Sequence, residues 1–233
     1  MNTNNKWNEF IIKYKSPKTN KELTTPIEAT LANGAKIILR LEQPEDYHEV
    51  ELLIRAAFWK AENKKKLNGI GCDEHYLTHT LRTAPEFIQE LDFVAVHGNK
   101  IVGNVMYSVA YVQKPDRTKH PVINFGPLSV LPEYQKTGVG SALMRHTLRV
   151  ADLMGYGAVL FFGHPEYYPR FGFKEAKEFG ITTAWGANFP AFMAMELIHG
   201  SLSGVTGSFY ESPLFNVDNE KAREFDRMIF CRG

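Results

Sequence analysis

Cysteine is scarce in this sequence, which has only Cys72 and Cys231 among 233 residues. They do not form a Cys-x-x-Cys pair, so the sequence provides neither a disulfide framework nor a zinc knuckle, and we expect no metal site. Long apolar runs are also missing, since no segment approaches 18 continuous apolar residues and residues 1–6 are polar. These absences predict a protein of the reducing cytoplasm that has no membrane anchor.

An excess of charge of one sign is absent as well. The chain has 27 Lys and Arg residues against 26 Asp and Glu residues, with a formal net charge of +1. Because nucleic acids and anionic membranes require basic surfaces, we expect neither as a partner. Hydrophobic residues make up 44% of the chain, which is enough for the core of one large domain or of one domain with appendages.

The most informative segment is predicted to be a buried strand, a short loop and the start of a helix. It reads Leu128-Ser129-Val130-Leu131-Pro132-Glu133-Tyr134-Gln135-Lys136-Thr137-Gly138-Val139-Gly140-Ser141. The first turn of a helix has N–H groups without intrahelical partners and the positive end of the helix dipole. Gly138 and Gly140 let a phosphate approach this backbone closely, so the segment predicts a site for a phosphorylated ligand.

Two other kinds of phosphate loop do not fit this segment. A P-loop needs a Lys after its second glycine, where Ser141 stands. A dinucleotide fingerprint needs a third glycine where Leu143 stands, and an acidic residue about 20 positions further on. That region reads Ala158-Val159-Leu160-Phe161-Phe162 and has no carboxylate.

The remaining pattern, Gln-x-x-Gly-x-Gly after Leu-Ser-Val-x-Pro-x-Tyr, resembles the acetyl-CoA signature of the GNAT acetyltransferase superfamily. A second motif follows at Pro165-Glu166-Tyr167-Tyr168-Pro169-Arg170-Phe171-Gly172-Phe173. Tyr168 stands four residues before Gly172-Phe173, which is similar to the Tyr that precedes a Gly-Phe pair by four residues in this family. The residue sequence of this motif is most similar to the YhbS-like branch of the family, and the resemblance covers roughly residues 36–200.

The resemblance implies an α/β (α+β) fold, in which a mixed central sheet is flanked by helices and two splayed strands form an acetyl-CoA cleft. It implies acetyl-CoA as cosubstrate and no metal. The glycine turn would hold the coenzyme A pyrophosphate, through Gln135, Lys136, Thr137, Gly138, Val139, Gly140 and Ser141. The backbone of Leu128, Ser129 and Val130 would bind pantetheine and polarise the acetyl carbonyl.

Hydrophobic periodicity predicts the elements of the domain at 36–200. Helices are expected at 44–60, 73–83 and 138–154, with a short helix at 166–170. Strands are expected at 92–97, 100–112, 122–131, 158–162, near 173–176 and at 191–197. Because proline cannot donate to a strand ladder, Gly126-Pro127 predicts a β-bulge, which would splay this strand from the next one.

Two extensions flank this domain. In the N-terminal extension, 1–35, the apolar spacing of residues 1–25 fits a helix and a strand equally, and Asn33-Gly34 predicts a hairpin with a two-residue type I′ turn. The C-terminal extension, 201–233, begins with a Gly- and Ser-rich stretch that reaches Phe215. Asp218 is then predicted to cap a helix with Ala222, Phe225, Met228 and Ile229 on one side. This helix could pack on the domain or on a second subunit of a homodimer.

Acetyl transfer to an amine requires a polarised carbonyl, a proton acceptor for the amine and a proton donor for the leaving thiolate. Tyr168 is the candidate general acid, because a phenol with a pKa of about 10 stays protonated at neutral pH and can donate to a thiolate. The alternative is an aromatic side chain that only packs under the short helix. Tyr167 is expected to point elsewhere and to be a core residue.

The general base is less well defined. Many GNAT enzymes use a Glu on the strand before the glycine turn, but residues 122–129 contain no carboxylate. Candidates on the second helix are Asp73, Glu74, His75 and His79, although an acidic helix start that complements the dipole explains the first two as well. Glu133 fits a loop residue, and His146 fits a packed histidine.

Aromatic residues are candidates for the acceptor wall, in positions similar to those of the family: Phe58, Trp59, Trp185 and Phe189. Core packing explains each of them equally well. The expected activity is an acetyl-CoA-dependent N-acetyltransferase (acyltransferase), in which a primary amine of a small molecule or peptide attacks directly in a ternary complex. The alternatives are a non-catalytic acyl-CoA-binding sensor of the same fold and, less well supported, a nucleotide-binding enzyme of another class.

Overall fold

The computed structural model describes residues 21–65, 67 and 69–230, which are organised around one mixed sheet. Its strands are β1 (Ile27–Thr30), β2 (Lys36–Leu41), β3 (Phe93–His97), β4 (Lys100–Gln113), β5 (Lys119–Val130), β6 (Ala158–Phe162), β7 (Lys174–Glu175), β8 (Ile181–Thr183), β9 (Phe192–Glu196) and β10 (Gly207–Tyr210). The α-helices within these ranges are α1 (Tyr47–Phe58), α2 (Glu74–Leu81), α3 (Val139–Leu153) and α4 (Asn219–Phe230). The predicted architecture, a mixed sheet flanked by helices, is confirmed.

The strands follow the order β1-β2-β3-β4-β5-β6-β9-β7, and β10 pairs with both β4 and β8. Neighbours are antiparallel except for β5 with β6 and β8 with β10. β4 is the central strand, because it pairs with β3, β5 and β10. It therefore connects the N-terminal half of the sheet to the C-terminal extension.

The two faces of β4 contact different helices. Gly103 lies so close to α3 that a Cβ atom there would clash with it, and the Tyr107 hydroxyl also reaches α3. Met106, whose side chain points the other way, packs in a cluster with Leu81 of α2. Because side chains alternate along a strand, the sheet lies between α3 on one face and α2, with α1 beside it, on the other.

β5 is irregular at Gly126-Pro127, as the proline predicts. In the β4/β5 register, these two residues lie opposite Met106 alone, which is a β-bulge. β5 then pairs with β6 only through Ile123 and Val159. The predicted bulge and the splayed pair of strands are both confirmed.

The hairpin between β1 and β2 forms, but the predicted two-residue type I′ turn is wrong. Leu31 N donates to Ala35 O at 2.8 Å and Gly34 N donates to Leu31 O at 2.9 Å, so the loop has three residues, 32–34. A type I′ turn needs positive φ at both central residues, and here Gly34, with φ of 81°, has it while Asn33 does not. Residues 1–20 lie outside the described residues, and the domain boundaries remain a prediction.

Two short strands were not predicted. β8 and β10 are three and four residues long and pair with each other, and β10 also pairs with β4. The sequence predicts no strand in the Gly- and Ser-rich stretch at 200–215, but Phe209 in β10 is buried in the core. The predicted short helix at 166–170 is a 3-10 helix at Tyr168–Phe171.

The C-terminal helix α4 has a capped N-terminus and packs against the rest of the domain. Asp218 Oδ1 accepts hydrogen bonds from the N–H groups of Glu220 and Lys221 at 3.0 and 3.2 Å, so the predicted N-cap is confirmed. Phe225 is buried and its ring contacts three side chains of α2, those of His75, Tyr76 and His79.

An ion pair joins α4 to α1 as well. Arg55 Nε donates to Asp226 Oδ1 at 2.6 Å, and the guanidinium lies between the rings of Trp59 and Phe230, 3.8 and 3.7 Å from their centroids. Of the two alternatives for this helix, packing on its own domain is therefore the one that is observed. No helix in the described part of the chain combines the length and apolarity that a membrane span needs.

Replacing Phe225 with alanine is expected to lower the free energy of unfolding by about 3 kcal/mol, because removal of the buried ring leaves a cavity between α4 and α2. For a chain of this size the melting temperature should fall by about 6–12 °C. Met228→Ala on the same helix is the matched control, since that side chain is 49% exposed. Equal melting temperatures for the two variants would contradict the packing of α4.

Candidate functional site

Two adjoining cavities lie where β5 and β6 diverge. The turn cavity, about 730 Å³, is lined chiefly by the predicted ligand-binding segment: Leu128, Val130, Gln135, Lys136, Thr137, Gly138, Gly140 and Ser141. The aromatic cavity, about 410 Å³, is lined by Phe58, Leu77, Phe125, Phe161, Phe162 and Phe215 together with Glu74 and Glu211. Leu128, His164, Tyr167 and Tyr168 line both cavities, so a single elongated ligand could extend from one into the other.

The start of α3 forms the floor of the turn cavity. Lys136 and Gly138 have positive φ angles of 63° and 107°, and Gly138 is the N-cap. Left-handed residues in such a turn direct successive N–H groups to one side and create an anion-binding concavity. The helical ladder begins when Ala142 N donates to Gly138 O, so the N–H groups of residues 139–141 have no intrahelical partner.

Gly140 keeps this helix start accessible. A Cβ atom at Gly140 would lie 3.3 Å from the Tyr167 hydroxyl and 3.4 Å from Cγ2 of Val130. Ser141 Oγ lies 3.3 Å from the same hydroxyl. A larger side chain would therefore fill the space in which a phosphate could reach the N–H groups, and the turn fits the phosphate groups of a phosphorylated ligand.

The edge of β5 contributes backbone groups to the cleft. Leu131 N donates to Val102 O in β4 at 3.0 Å. Because successive N–H groups of a strand point to opposite sides, those of Leu128 and Val130 point away from β4, toward the gap before β6. Gln135 Nε2 donates to Val130 O at 3.2 Å and ties the turn to this edge.

Two of the predicted ligand-binding residues do not line the turn cavity with their side chains. Ser129 and Val139 are 2% and 0% exposed, respectively, and belong to the core. Any contribution from these two positions would come from the main chain, as was expected for Ser129.

Tyr168 lies at the junction of the two cavities. Its ring packs edge-on against Phe161 at 4.5 Å between centroids and contacts Phe125 and Phe173. Gly163 permits this position, because a Cβ atom there would lie 2.5 Å from the Tyr168 ring. Burial raises the pKa of the Tyr168 hydroxyl far above its usual value, so the hydroxyl remains protonated at any working pH.

Tyr167 was expected to point elsewhere, and that expectation is wrong. Both tyrosines line the cleft, with their rings perpendicular and 5.0 Å apart. They lie at a tight helical turn, Tyr168 opening the 3-10 helix that Tyr167 precedes, so their side chains do not alternate as they would in a strand.

Glu211 is the most perturbed carboxyl of the aromatic cavity. It follows β10 directly and accepts a hydrogen bond from Asn124 Nδ2 of β5 at 3.1 Å. Burial raises the pKa of Glu211 to about 7, although the Asn124 amide favours the charged form. The carboxyl can thus exchange a proton near neutral pH.

The four candidate bases, Asp73 before α2 and three residues within it, differ in position. Glu74 lines the aromatic cavity, and burial raises its pKa. Asp73 does not line it. His75 is fully buried between Cys72 and Asp226, and His79 pairs with Glu51 at 3.0 Å beside α4.

The two other titratable residues considered from the sequence lie outside the aromatic cavity. Glu133 is exposed and forms an ion pair with Lys100 at 2.7 Å, and the Lys100 ammonium lowers the pKa of Glu133. His146 packs edge-on against Phe93 at 4.7 Å, and burial lowers its pKa. The expectation of a packed histidine is confirmed.

Of the four aromatic side chains proposed for an acceptor wall, Phe58 lines the aromatic cavity. Trp59 instead stacks on Arg55. Trp185 and Phe189 do not line the cavity, but their rings stack on that of Phe162, which does.

Sequence reasoning missed several residues of the cleft. Arg170 lines the turn cavity and lies 4.5 Å over the ring of Tyr167, where it adds positive charge. It belongs to the second motif, so its place in that motif was the available signal. Glu211 and Phe215 come from a stretch with no recognisable pattern. In the described ranges no cluster of three or more His, Cys, Asp or Glu residues could hold a metal ion.

Comparison with known proteins agrees with this geometry. Residues 89–175 match the family described as the acetyltransferase (GNAT) domain. The chain is 28% identical over 172 residues to the uncharacterized N-acetyltransferase YhbS of Escherichia coli. The aligned residues cover 73% of this chain and 93% of that protein.

Solved structures give the same result. A crystal structure of the Escherichia coli YhbS protein in complex with CoA superposes with a TM-score of 0.66 at 26% identity, covering 77% of this chain and 92% of that one. A Brucella melitensis GNAT acetyltransferase in complex with acetyl-CoA shares the fold, with a TM-score of 0.56 at 22% identity, covering 77% of this chain and 97% of that one.

Proposed function

We propose that the chain is a GNAT acetyltransferase and that it transfers an acetyl group from acetyl-CoA to a primary amine of a small molecule or peptide. The observation that carries this proposal is the continuity of the two cavities past Tyr168. One end offers free N–H groups to phosphates, and the other offers an apolar space with carboxylates to an amine. A ternary complex with direct attack requires such an arrangement.

The turn cavity is the proposed site of acetyl-CoA. The N–H groups at the start of α3 would hold the pyrophosphate, and Lys136 and Arg170 would supply positive charge beside it. The N–H groups of Leu128 and Val130 would bind the pantetheine arm and polarise the acetyl carbonyl. When bound, acetyl-CoA supplies an activated acetyl thioester next to Tyr168.

Tyr168 is the proposed general acid, because the residue lines both cavities and its hydroxyl is protonated. It would donate a hydrogen bond to the sulfur as negative charge develops there. The aromatic cavity would take the acceptor. Its phenylalanine side chains exclude water from the reacting atoms, which strengthens each of these interactions.

Acetyl-CoA is expected to raise the melting temperature, whereas ATP and NAD are not. At a concentration of 100 times its Kd, a ligand that binds only the folded protein stabilises it by about 2.7 kcal/mol. For a chain of this size, that corresponds to about 5–11 °C in a thermal-shift measurement. Stabilisation by ATP or NAD but not by acetyl-CoA would contradict the proposal and favour a nucleotide-binding enzyme.

A turnover assay tests the transfer itself. Release of free thiol from acetyl-CoA is measured with a panel of amines and with a peptide that has a free N-terminus. Release above the hydrolytic background with at least one acceptor is expected. Binding of acetyl-CoA without release from any acceptor would favour a non-catalytic sensor of the same fold.

A further inference from the structure

The C-terminal extension completes the wall of the aromatic cavity. Glu211 and Phe215 both line it, and Phe215 lies within 3.2 Å of the place where a Cβ atom of Gly126 would be. The segment is fixed on both sides of these residues. Tyr210 pairs with Tyr111 of β4, and the Ser212 hydroxyl donates a hydrogen bond to the buried carboxylate of Glu86.

A chain of hydrogen bonds orients Glu211. The Ser108 hydroxyl donates to Asn124 Oδ1 at 2.5 Å, which leaves the amide Nδ2 to donate to Glu211 at 3.1 Å. Ser108 and Asn124 are both fully buried and lie opposite each other in the β4/β5 pair. β5 thus presents an amide, and the extension supplies the carboxylate that the strand itself lacks.

We propose that Glu211 is the general base of the transfer, that Asn124 is its positioning residue, and that the acceptor is a cationic amine with an apolar body. This inference rests on the proposed acetyltransferase activity. The aromatic cavity is walled by phenylalanine and leucine side chains for the apolar body of such an acceptor. Among the described residues that line it are two carboxyls, Glu74 and Glu211, and no Lys or Arg, which suits an incoming ammonium group.

The titratable groups around Glu211 come from two elements. Glu74 faces the cavity from α2, and His164, Tyr167 and Tyr168 face it from the segment after β6. Burial disfavours the charged form of Glu211, whereas a bound ammonium would favour it. Glu211 would therefore be ionised when the acceptor is present, as a base must be.

Glu211 removes one proton from the ammonium and passes it to water, so that the neutral nitrogen forms a bond to the acetyl carbon while the carbon–sulfur bond breaks. The nitrogen loses its second proton as the amide forms. That proton replaces the one that Tyr168 gives to the thiolate, so the products are the acetylated amine, free CoA and one proton.

Glu211→Gln is expected to lower kcat/KM at pH 7 by about 50-fold, since an amide cannot accept the proton. The wild type should gain activity as the pH rises through about 7, where Glu211 ionises, and the variant should lose this transition. Asn124→Leu should shift the transition to higher pH, because the hydrogen bond that favours the carboxylate is gone. The probes are 2-phenylethylamine, spermidine and an alanyl peptide, and Glu220→Gln, exposed in the same extension, is the control.

A second measurement does not require turnover. Carbon-13 NMR of labelled glutamate carboxyls should show one resonance that titrates near pH 7 and is missing from Glu211→Gln. An ordinary pKa for Glu211, or a variant within threefold of the wild type, would overturn the role of Glu211 alone. A wild type that binds acetyl-CoA but acetylates none of the three probes at any pH would count against the cationic acceptor, and failure to bind acetyl-CoA would remove the proposed function itself.

Discussion

Tyr168→Phe is expected to lower kcat about 1000-fold while the Kd of acetyl-CoA changes less than threefold. A positioned proton donor contributes roughly 10²- to 10⁴-fold to a rate. The hydroxyl is the only group removed, and the ring is held by Phe161, Phe125 and Phe173 without its help. The folded structure should therefore survive, and steady-state kinetics together with isothermal titration of acetyl-CoA check both halves of the expectation.

The control for this variant is the same chemical change at another tyrosine. Tyr76 lies on α2 against Phe225 and lines neither cavity, so Tyr76→Phe should keep the wild-type rate. Tyr167→Phe separates the two neighbouring tyrosines and is expected to lose less than fivefold. A large loss for Tyr167→Phe with a small one for Tyr168→Phe would reassign the acid.

Burial of Tyr168 also predicts the pH dependence of the rate. Because the folded-state pKa is raised, the hydroxyl stays a donor throughout the alkaline range in which a free phenol would ionise. A phenol of raised pKa is also a weaker acid, so Tyr168 should give its proton to the thiolate only as the proton lost by the nitrogen replaces it. We therefore expect no loss of kcat up to about pH 9.5 in the wild type, since even an unperturbed phenol has a pKa of about 10.

Ser141→Asp is expected to weaken acetyl-CoA binding by several-hundred-fold without destabilising the protein. The third residue of α3 faces the turn cavity, and a carboxylate there would meet the pyrophosphate among the helix N–H groups. Two like charges about 4 Å apart repel by about 4 kcal/mol at an effective dielectric constant of 20. An acidic residue in the first turn of a helix otherwise favours it by about 0.3–1 kcal/mol.

Ser141→Asp is diagnostic because it should weaken acetyl-CoA binding without lowering the stability of the free protein. Titration calorimetry should show the loss of affinity, and thermal unfolding without ligand should show an unchanged or slightly higher melting temperature. Asparagine has nearly the same shape as aspartate without the charge, so Ser141→Asn should lower the affinity for acetyl-CoA by less than tenfold. If the aspartate variant bound acetyl-CoA as tightly as the asparagine variant, the pyrophosphate could not lie at this turn.

The sequence alone was sufficient for the parts of the site that are local. The glycine turn and Tyr168 lie in two continuous motifs, and the bulge at Gly126-Pro127 directly precedes the first of them, so chain geometry there follows from neighbouring residues. Tyr167 was misjudged because it lies beside Tyr168 at the start of a 3-10 helix, where both side chains line the same cleft. The turn type of Asn33-Gly34 failed for a related reason, since a common pair of residues adopted a three-residue loop.

The acceptor side of the cleft was beyond such reasoning. Asn124 and Glu211 are 87 positions apart, and nothing near Glu211 indicates that β10 pairs with β4. Of the α2 candidates, Glu74 reaches the cavity while His75 and His79 turn toward α4, a difference that depends on how α4 packs. The pairing of β10 with β4 determines the acceptor side of the cleft, and neither sequence motif indicates that pairing.

The place of Glu211 in the chain has a consequence for synthesis. The glycine turn, β6 and Tyr168 all precede β10, so a ribosome completes the groups of the turn cavity well before it adds the carboxylate and Phe215. Domains generally fold from the N-terminal side as they emerge. A nascent chain could therefore acquire a coenzyme-binding half while its acceptor half is still open, and it would gain the means to acetylate only after β10 joins β4.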